Sequence, residues 1–580
     1  MIKLKKLYSQ PEIFDPITFE YGLNIIMGER SESSDKKIGV GKSICIEFLN
    51  YCLLKNYSTS RISLIPKEAL DLDTIICLDL DFKSYQLTIN RSLGNHERIV
   101  IFKDGEPIVF EKADEASEYL GSLYFEDYPV ATTRISFRNL LAPIIRDERS
   151  EFKDIIKCFD TSKLIPRDYK PHLFFLNLDI ELYNEIAKTI SNYDKKSSFV
   201  SETKKLLTNN GTVKISDAKA HLNELESEVS KINSSIEQLK SYESFDVIQS
   251  DVIKFESKLS DLRSKQKAIR HEIKQITSFP QHENIDDNEI GMLFNQFKSG
   301  LGDIVSKSVE QTREFKYKID NFRNTIIHNR LETIKLELSI ITNEIKDIDE
   351  ILSNKLNLID NGTLVKDLKS AINIFNSKNT ELSRLRSLID RYDTSEREKK
   401  KLQAEKIKLI SKLDQHIFET ELIINSFKNT ILDIHEKIMG NKEAHFEIKT
   451  TNNKEFINFI LRTDYDGSHT TERMKVFIYD TALMFNEYTK SRHPGFLVHD
   501  NIFDKDDDTL EKSLNFIFKQ DFDNPNTFQY ILTLNSDLVD SIIRTNTLNF
   551  DISDYKVASF TKDSRFLKHT PKYTELASKK

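Results

Sequence analysis

The spacing of apolar and polar residues divides the chain into three zones. In residues 1 to about 160, short apolar runs typical of strands surround one run with helical spacing. The strand candidates are 17–28, 74–82, 85–93 and 98–104, and the helical run is 43–54. From about 445 to 570 the mixed pattern returns, with strand candidates at 446–450, 456–465, 495–503 and 528–535 around a helical segment at 473–490. The pattern therefore predicts a mixed α/β zone at each end of the chain.

Between these zones lies a long charged stretch whose apolar residues follow a heptad rhythm. Alternating spacings of three and four residues are the signature of a coiled-coil seam. The first run is Leu222, Leu225, Val229, Ile232, Ile236 and Leu239, and the second is Leu331, Ile334, Leu338, Ile341, Ile345, Ile348 and Leu352. In an antiparallel pairing, the residue numbers of Leu222 and Leu352 add to 574, and those of Leu239 and Ile334 add to 573.

The near-constant sum predicts one antiparallel hairpin whose tip lies near residue 287, within the proline- and glycine-containing segment 280–291. Two further breaks, at 209–212 and 360–363, predict a joint. The alternative is two separate helical bundles. A hairpin would bring the two mixed zones together as one domain split by an arm. The predicted domains are an N-terminal lobe at 1–165, an ascending limb at 166–279, a tip at 280–300, a descending limb at 301–442 and a C-terminal lobe at 443–580.

Composition narrows the class of protein. Charged residues make up 30% of the 580 residues and the net charge is −8, so any contact with nucleic acid needs a local basic patch. The four cysteines form neither a CxxC pair nor a cluster with histidines, and no structural zinc is expected. The N-terminus lacks an apolar signal region, and no apolar run is long enough to span a membrane. We therefore expect a cytoplasmic protein without membrane association.

Residues 28–43, GERSESSDKKIGVGKS, have a predicted strand before them and a predicted helix after them. That is the setting of a phosphate-binding P-loop, although twelve residues separate Gly28 from Gly41 where the usual motif has about four. The segment is either a P-loop with an insertion or a chance GKS. In a P-loop, Gly28, Gly39 and Gly41 belong to the binding loop, whose backbone amides hold the phosphates. Lys42 then reaches the β and γ phosphates, and the Ser43 hydroxyl ligates Mg²⁺.

A second acidic element lies near the C-terminus, where the apolar run 496–499 ends in Asp500. In P-loop ATPases such a strand presents its aspartate to the Mg²⁺ shell. Many buried strands end in the same way, so the pattern gains weight from the upstream P-loop. Ser43 and Asp500 are the predicted Mg²⁺ ligands.

Taken together, a split head, an antiparallel arm and joined termini resemble the SMC-type ABC ATPases, including the bacterial SbcC and RecN proteins. The resemblance implies an α/β P-loop ABC-type ATPase head split by a long antiparallel coiled-coil hairpin. It also implies ATP and Mg²⁺ as cofactors, held between the heads of a homodimer. The motifs that carry the resemblance lie at about 20–55, 140–152 and 465–540.

The family's signature loop precedes the strand that ends in the Mg²⁺-binding aspartate, and it caps the nucleotide bound to the partner head. Here residues 466–483 occupy that place. Glu472 and Arg473 match the family's acidic–basic pair, Ser468 stands in for the signature serine, and Thr470 lies where a glycine is usual. The alternative is a capped helix start without a role in nucleotide binding.

Three departures from the family bear on catalysis. Asn501 follows Asp500 where the family has glutamate, and asparagine cannot take a proton. Hydrolysis is therefore expected to be slow or to use another acid, with Asp504 the nearest candidate. Asn535 replaces the switch histidine and retains a hydrogen bond to the γ-phosphate. The third departure is Asp147, which occupies the position of the Q-loop glutamine.

Two arginines flank the altered Q-loop. Arg146 and Arg149 either contact phosphate or DNA, or pair with Glu148 and Glu151. The residues alone do not separate these interpretations.

These departures are similar to those of SMC-like subunits of Lamassu-type bacterial defence systems. That resemblance implies an anti-phage and anti-plasmid complex with a small accessory subunit and an effector nuclease. The alternatives are a double-strand-break repair ATPase of the SbcC or RecN type, or a structural coiled-coil tether with an inactive nucleotide site. Neighbouring genes would separate these hypotheses.

Lysine clusters on the two limbs predict a surface that contacts the phosphates of double-stranded DNA or DNA ends. A solvated helix face accounts for the same residues equally well, because acidic residues are interspersed. The predicted DNA-contacting residues are Lys195, Lys196, Lys399, Lys400 and Lys401.

Overall fold

The computed structural model describes residues 1–30, 39–65, 71–128, 135–240, 248–278, 328–353, 362–463, 467, 469–503, 507–545 and 547–568. The chain divides into two compact units. The first, here called the head, comprises Met1–Ile190 and Ala404–Lys580, and the second, here called the arm, comprises Ser191–Gln403. The predicted tip at 280–300 lies outside the described residues.

The head is longer than the lobes predicted at 1–165 and 443–580. Phe174, Phe175 and Ile180 are fully buried in its core, as are Phe427 and Ile431. Helical segments that the periodicity assigned to the limbs thus bury apolar side chains in the head.

Strands account for much of the head. Their bounds are β1 Ile2–Gln10, β2 Ile17–Thr18, β3 Gly22–Gly28, β4 Ile75–Phe82, β5 Tyr85–Ser92, β6 Ile99–Lys103, β7 Glu106–Phe110, β8 Ile145–Arg146, β9 Ala444–Thr450, β10 Ile457–Thr463, β11 Phe496–Asp500, β12 Gln529–Asn535 and β13 Lys556–Phe560. The strand candidates recognised in the sequence correspond to β2 and β3, to β4–β6 and to β9–β12.

Helices connect the strands and form the arm. Their bounds are α1 Lys42–Cys52, α2 Ala113–Phe125, α3 Phe137–Leu140, α4 Lys170–Phe175, α5 Ile180–Leu207, α6 Ile215–Lys240, α7 Ile248–Ser278, α8 328–353, α9 Gly362–Glu419, α10 Glu421–Met439, α11 His469–Phe485, α12 Asp507–Asp523 and α13 Ser536–Thr545. Short 3₁₀ helices lie at Tyr57–Thr59, Arg61–Leu64, Glu148–Ser150 and Ile552–Tyr555. No described helix is long and apolar enough to cross a lipid bilayer.

A parallel sheet forms the centre of the head, with described strands in the order β13-β3-β12-β11-β8. Strands β3 and β11 are buried along their whole length, which explains their nearly continuous apolar sequences. All five strands run in the same direction, so their carboxyl ends meet at one edge. This edge carries Gly28, Asp500 and Asn535, at the ends of β3, β11 and β12.

An antiparallel sheet, with described strands in the order β2-β1-β4-β5-β6-β7, forms a second layer of the head. Helix α1 contacts β4 and β5 of this sheet as well as β3 and β11 of the parallel sheet. Residues Cys45–Cys52 of α1 are therefore all buried, although the helix contains the polar residues Glu47 and Asn50. The first turn of α1 is consequently fixed at the carboxyl edge of the parallel sheet.

The arm consists of long helices that run antiparallel in pairs. Ion pairs join α6 to α9, at Lys219–Asp393 (2.8 Å) and Glu228–Lys378 (3.0 Å). A second set joins α7 to α8, where Arg263 contacts Asp349 at 2.9 Å. Buried apolar side chains of α7 and α8 form a separate cluster: Leu259, Leu262, Ile269, Ile334, Ile341, Ile348 and Leu352.

The predicted register of the heptad runs is wrong. Leu352 packs in the cluster that contains Leu259, whereas it was expected to pair with Leu222, and Glu226 pairs with Arg386 of α9. The residue numbers in both the Arg263–Asp349 and the Glu226–Arg386 pair add to 612, compared with the predicted 573 or 574. Apolar heptad positions repeat, so periodicity alone supports several registers, and the charged pairs distinguish between them.

Candidate functional site

The phosphate-binding candidate lies between the end of β3 and the start of α1. Gly41 is the N-cap residue of α1 and has a φ of 110°, a left-handed conformation that favours glycine. Gly41 has no side chain with which to cap α1, and the backbone N–H groups in the first turn of a helix are groups that commonly bind an anion. A β-carbon on Gly41 would lie 2.6 Å from Cβ of Phe566, which shows how closely the C-terminal segment packs on the loop.

Lys42 extends across the end of the parallel sheet. Its Nζ donates a hydrogen bond to Oδ1 of Asn535, the last residue of β12. A β-carbon on Gly28 would lie 2.7 Å from this Nζ, so the glycine leaves room for the lysine side chain. The structure thus brings together Gly28, Lys42 and Asn535, three residues that the sequence analysis assigned to the nucleotide site.

Asp500 lies beside the first turn of α1 and is fully buried. Its Oδ1 accepts hydrogen bonds from Ser43 Oγ at 3.1 Å and from Thr533 Oγ1 at 2.8 Å. Its Oδ2 has no hydrogen-bond partner among the described residues. Burial raises the pKa of Asp500 to about 6, while the hydrogen bonds from Thr533 and Ser43 act in the opposite direction.

Asn501 has a φ of 65°, a left-handed conformation that asparagine tolerates better than most residues. Its backbone N–H donates to Thr533 Oγ1 at 2.9 Å. Thr533 therefore holds both Asp500 and the turn that follows it. The sequence analysis did not identify Thr533. Its position in β12, directly opposite Asp500 in the parallel register, is the signal that could have identified it.

Lys42, Ser43, Asn501 and Asn535 line a cleft of about 330 Å³, and Asp500 is buried directly behind Ser43. Its lining includes backbone and side chains of the loop and the first turn of α1, together with two residues that sequence analysis did not assign to it, Arg61 and Glu148. Arg61 Nη1 lies 2.7 Å from Glu148 Oε1. The full set of lining residues is Gly39, Val40, Gly41, Lys42, Ser43, Ile44, Arg61, Glu148, Asn501 and Asn535.

Asp147, predicted at the Q-loop position, does not line this cleft. Its Oδ2 accepts from Arg149 Nε at 2.9 Å and lies 3.5 Å from Lys55 Nζ. The residue that faces the cleft from this segment is the following one, Glu148. Asp147 occupies the N-cap of the 3₁₀ helix Glu148–Ser150 and accepts a hydrogen bond from the backbone N–H of Arg149. This bond explains why Glu148 faces the cleft and Asp147 does not.

The two arginines of this segment have structural partners. Arg146 is fully buried, and its Nε lies 2.6 Å from Oδ2 of Asp480 in α11. Arg149 lies 3.5 Å from Glu47 in addition to its contact with Asp147. Neither arginine pairs with Glu148 or Glu151 among the described contacts, so the ion pairs expected from the sequence are replaced by pairs with Asp480, Asp147 and Glu47.

Among the predicted signature residues, Thr470, Glu472 and Arg473 lie at the start of α11 and outside the lining of the cleft. Thr470 is exposed, Glu472 pairs with Lys475 at 2.9 Å, and Arg473 Nη1 lies 3.4 Å from the carbonyl oxygen of Asn501. Ser468 and Asp504 lie outside the described residues. A role for Thr470, Glu472 and Arg473 in nucleotide binding would require a partner head.

The predicted DNA-contacting lysines all belong to the arm. Lys196 pairs with Glu398 at 2.6 Å, and Lys399 lies 4.0 Å from Glu396. Lys195, Lys400 and Lys401 are exposed and have no ion pair among the described residues. The pKa of Glu398 is lowered by the hydrogen bond and charge of Lys196, and the charge of Lys401 nevertheless adds to this effect.

The donors and acceptors of the cleft fit a magnesium–nucleotide complex. The unpartnered Oδ2 of Asp500 and the Ser43 hydroxyl are hard oxygen ligands of the kind that Mg²⁺ prefers. Lys42 and the N-terminus of α1 supply positive potential for phosphate oxygens. Bound Mg²⁺ would neutralise charge on the phosphates and would relieve the buried carboxylate of Asp500 of its desolvation cost.

The chain is similar to a bacterial protein family, to a protein of Bacillus subtilis and to solved structures of Smc head domains. Residues 434–570 match a family described as "Uncharacterised protein conserved in bacteria (DUF2326)". The chain is 23% identical over 544 residues to the uncharacterised protein YydD of Bacillus subtilis (strain 168), covering 89% of each chain. Solved structures also match, among them two of Smc head domains. The Smc head domain with a coiled coil and joint from Pyrococcus yayanosii is 12% identical with a TM-score of 0.35, covering 93% of this chain and 94% of that one.

The second match is the Smc head domain with an extended coiled coil from Pyrococcus furiosus, whose structure includes the C-terminal domain of ScpA. It is 10% identical, with a TM-score of 0.33, and the match covers 93% of this chain and 92% of that one.

Proposed function

We propose that this chain is an SMC-like subunit that binds ATP with Mg²⁺ in the cleft around Lys42 and hydrolyses it slowly. The observation that carries the proposal is the convergence of Lys42 and Ser43 with Asp500, which lies more than 450 positions further along the chain, at one edge of the parallel sheet. Within the described contacts, Oδ2 of the buried Asp500 carboxylate has no hydrogen-bond partner, and a Mg²⁺ ion bound with the phosphates would provide one.

Two heads would sandwich two nucleotides, each bound between the P-loop of one head and the start of α11 of the other. Because the described residues of α11 do not line their own cleft, a nucleotide site would be completed by the partner head. ATP would therefore favour head dimerisation, and hydrolysis would reverse it.

Replacement of Lys42 tests the proposal. We expect Lys42→Ala to weaken MgATP binding roughly 10- to 100-fold, because one charge-assisted contact to the phosphates is lost. Isothermal titration calorimetry on the purified full chain measures the affinity, and light scattering measures dimerisation. Lys112→Ala, an exposed lysine of the head, is the matched control. Equal affinity for Lys42→Ala and the control would refute the assignment of the P-loop.

The role in the cell that we propose is anti-phage and anti-plasmid defence, with a small accessory subunit and an effector nuclease. It rests on the altered residues Asn501 and Asn535, which resemble those of Lamassu-type SMC-like subunits. The arm would contact double-stranded DNA or DNA ends, and the ATP state would control the effector.

The Lys42→Ala variant also separates this role from its rivals in cells. Loss of protection against plasmids or phage supports defence. Protection that survives the substitution favours a structural tether with an inactive nucleotide site. The observation that favours this alternative is Asn501, which stands where the family has its catalytic glutamate. Loss of DNA-damage tolerance with protection intact favours a repair ATPase.

A further inference from the structure

The cleft contains a carboxylate that the P-loop motifs do not account for. Glu148 begins the 3₁₀ helix that follows β8 and lines the cleft together with Ser43 and Asn501. Its side chain is 43% exposed, so water and ligands reach it. The negative charge of Glu148 also contributes to the raised pKa of Asp500, which places the two carboxylates within electrostatic reach of each other.

Arg61 fixes the orientation of Glu148. The guanidinium, only 17% exposed, donates from Nη1 to Glu148 Oε1 at 2.7 Å. Glu148 Oε2 forms no hydrogen bond within the described part of the chain. One carboxylate oxygen is therefore anchored, and the other is free to accept a hydrogen bond from water in the cleft. The positive charge of Arg61 would also reduce repulsion between Glu148 and a bound triphosphate.

We propose that Glu148 is the catalytic carboxylate of this site, performing the work that Asn501 cannot. This inference rests on the proposed ATP site. Glu148 Oε2 would accept a hydrogen bond from the attacking water, and Arg61 would act as its positioning residue. The water oxygen forms a bond to the γ-phosphorus, and the bond from that phosphorus to the β–γ bridging oxygen breaks. ADP leaves with the electron pair, and the proton lost by water passes to Glu148 and then to solvent.

The other acids near the cleft have different partners. Asp500 is buried and bonded to Ser43 and Thr533, in the position of a metal ligand. Asp147 is held by Arg149 and Lys55 and points away from the cleft. Among the described lining residues, Glu148 is thus the carboxylate accessible to the attacking water.

The test compares ATP binding with ATP turnover in Glu148→Gln. We expect phosphate release to fall about 100-fold, since positioned acid–base groups typically contribute at least that factor, while the Kd for MgATP stays within about threefold. Glu151→Gln is the matched control, because it removes a carboxylate from the same segment outside the cleft lining. Glu148→Asp, which keeps the charge but withdraws the carboxylate by one methylene, is expected to lose most of the turnover as well.

The outcomes separate this inference from the proposed function. If wild-type protein binds MgATP and turnover in Glu148→Gln matches the control, Glu148 is not catalytic although the ATP site stands. Loss of ATP affinity equal to the loss of turnover would make Glu148 a ground-state binding group and would also overturn the inference. Wild-type protein that binds ATP without turnover overturns it too. Absence of any MgATP binding would refute both proposals together.

Discussion

Asp500, the proposed Mg²⁺ ligand, shows how a buried carboxylate can weaken the fold that holds it. The carboxylate is fully buried, and one of its two oxygens has no partner among the described residues. Burial raises the pKa to about 6, above that of an aspartate in an unfolded chain. The native protein therefore binds more protons than the unfolded chain between about pH 4 and pH 6. Across that window, the contribution of Asp500 to the free energy of unfolding falls as pH rises.

Replacing this carboxylate should stabilise the protein without ligand. A shift of about two pKa units corresponds to about 3 kcal/mol, and the amide introduced by Asp500→Asn would remain partly unsatisfied, which offsets some of the gain. We expect this variant to raise the free energy of unfolding by about 1–2 kcal/mol at pH 7.5. The advantage over wild type should shrink as pH falls from 6 to 4. Urea unfolding at several pH values measures it, with the exposed Glu106→Gln as control.

The same variant should lose the Mg²⁺ dependence of ATP binding, because a neutral amide is a poorer ligand for Mg²⁺. A stability difference between Asp500→Asn and wild type that is constant from pH 4 to pH 7.5 would contradict the raised pKa. Stabilisation together with unchanged Mg²⁺ dependence would contradict the assignment as a metal ligand.

For single residues, the sequence predicts positions best where a residue lies at the end of a clearly patterned strand or at the start of a clearly patterned helix. Lys42, Ser43 and Asp500 could be predicted since each lies at the end or start of a strongly patterned element. Arg61 and Glu148 could not, because both lie in 3₁₀ helices whose position depends on tertiary packing. The orientation of the Asp147–Glu148 pair was likewise unpredictable, as it is set by capping and by the ion pair between Asp147 and Arg149.

Among the elements, strands were more predictable than the pairing of helices. Buried parallel strands such as β11 and β12 have apolar runs bounded by polar residues. The extent of β12, Gln529–Asn535, matches the prediction closely, and β11, Phe496–Asp500, lies within the predicted segment 495–503. The heptad runs of the arm predicted helices and an antiparallel arrangement. They did not fix the register, because leucine and isoleucine at repeating positions pack comparably in several alignments.

Cross-linking can distinguish the two registers of the arm. Glu226 and Arg386 form an ion pair, so cysteines introduced at both positions should react with a short bifunctional maleimide. Cysteines introduced at Glu226 and Asp347, which the predicted register would align, should not. The four native cysteines are buried and should contribute little background. Mass spectrometry of the cross-linked peptides identifies which pair of cysteines has reacted. Efficient cross-linking of the Glu226–Asp347 pair alone would contradict the structure.

On the scale of the whole molecule, the chain builds its head from both ends and inserts the arm between them. The candidate phosphate-binding loop and the strand that ends in Asp500 belong to opposite ends of the chain, yet they meet at one sheet. Formation of the cleft therefore requires both terminal segments, and this long-range pairing makes the site dependent on complete folding of the head.

The lysines of the arm lead to a prediction about DNA binding that depends on the net charge of the whole chain. The chain carries a net charge of −8, so DNA binding has to overcome overall repulsion through a local patch. Among the five predicted lysines, Lys400 and Lys401 are exposed and unpaired within the described residues, whereas Lys196 and Lys399 have acidic neighbours. The unpaired lysines should therefore contribute more of the phosphate contact.

We expect the double variant Lys400→Ala/Lys401→Ala to weaken binding to double-stranded DNA by a similar factor for every sequence. The slope of log affinity against log salt should become shallower by about two, since each lost phosphate contact removes about one released counterion. Lys335→Ala/Lys346→Ala, two exposed lysines of α8, is the control of equal charge. Fluorescence anisotropy with labelled duplexes of different sequence, between roughly 50 and 200 mM salt, measures both quantities. Equal slopes for the two double variants would show that the cluster is a solvated helix face, because contact with phosphates must appear in the salt dependence.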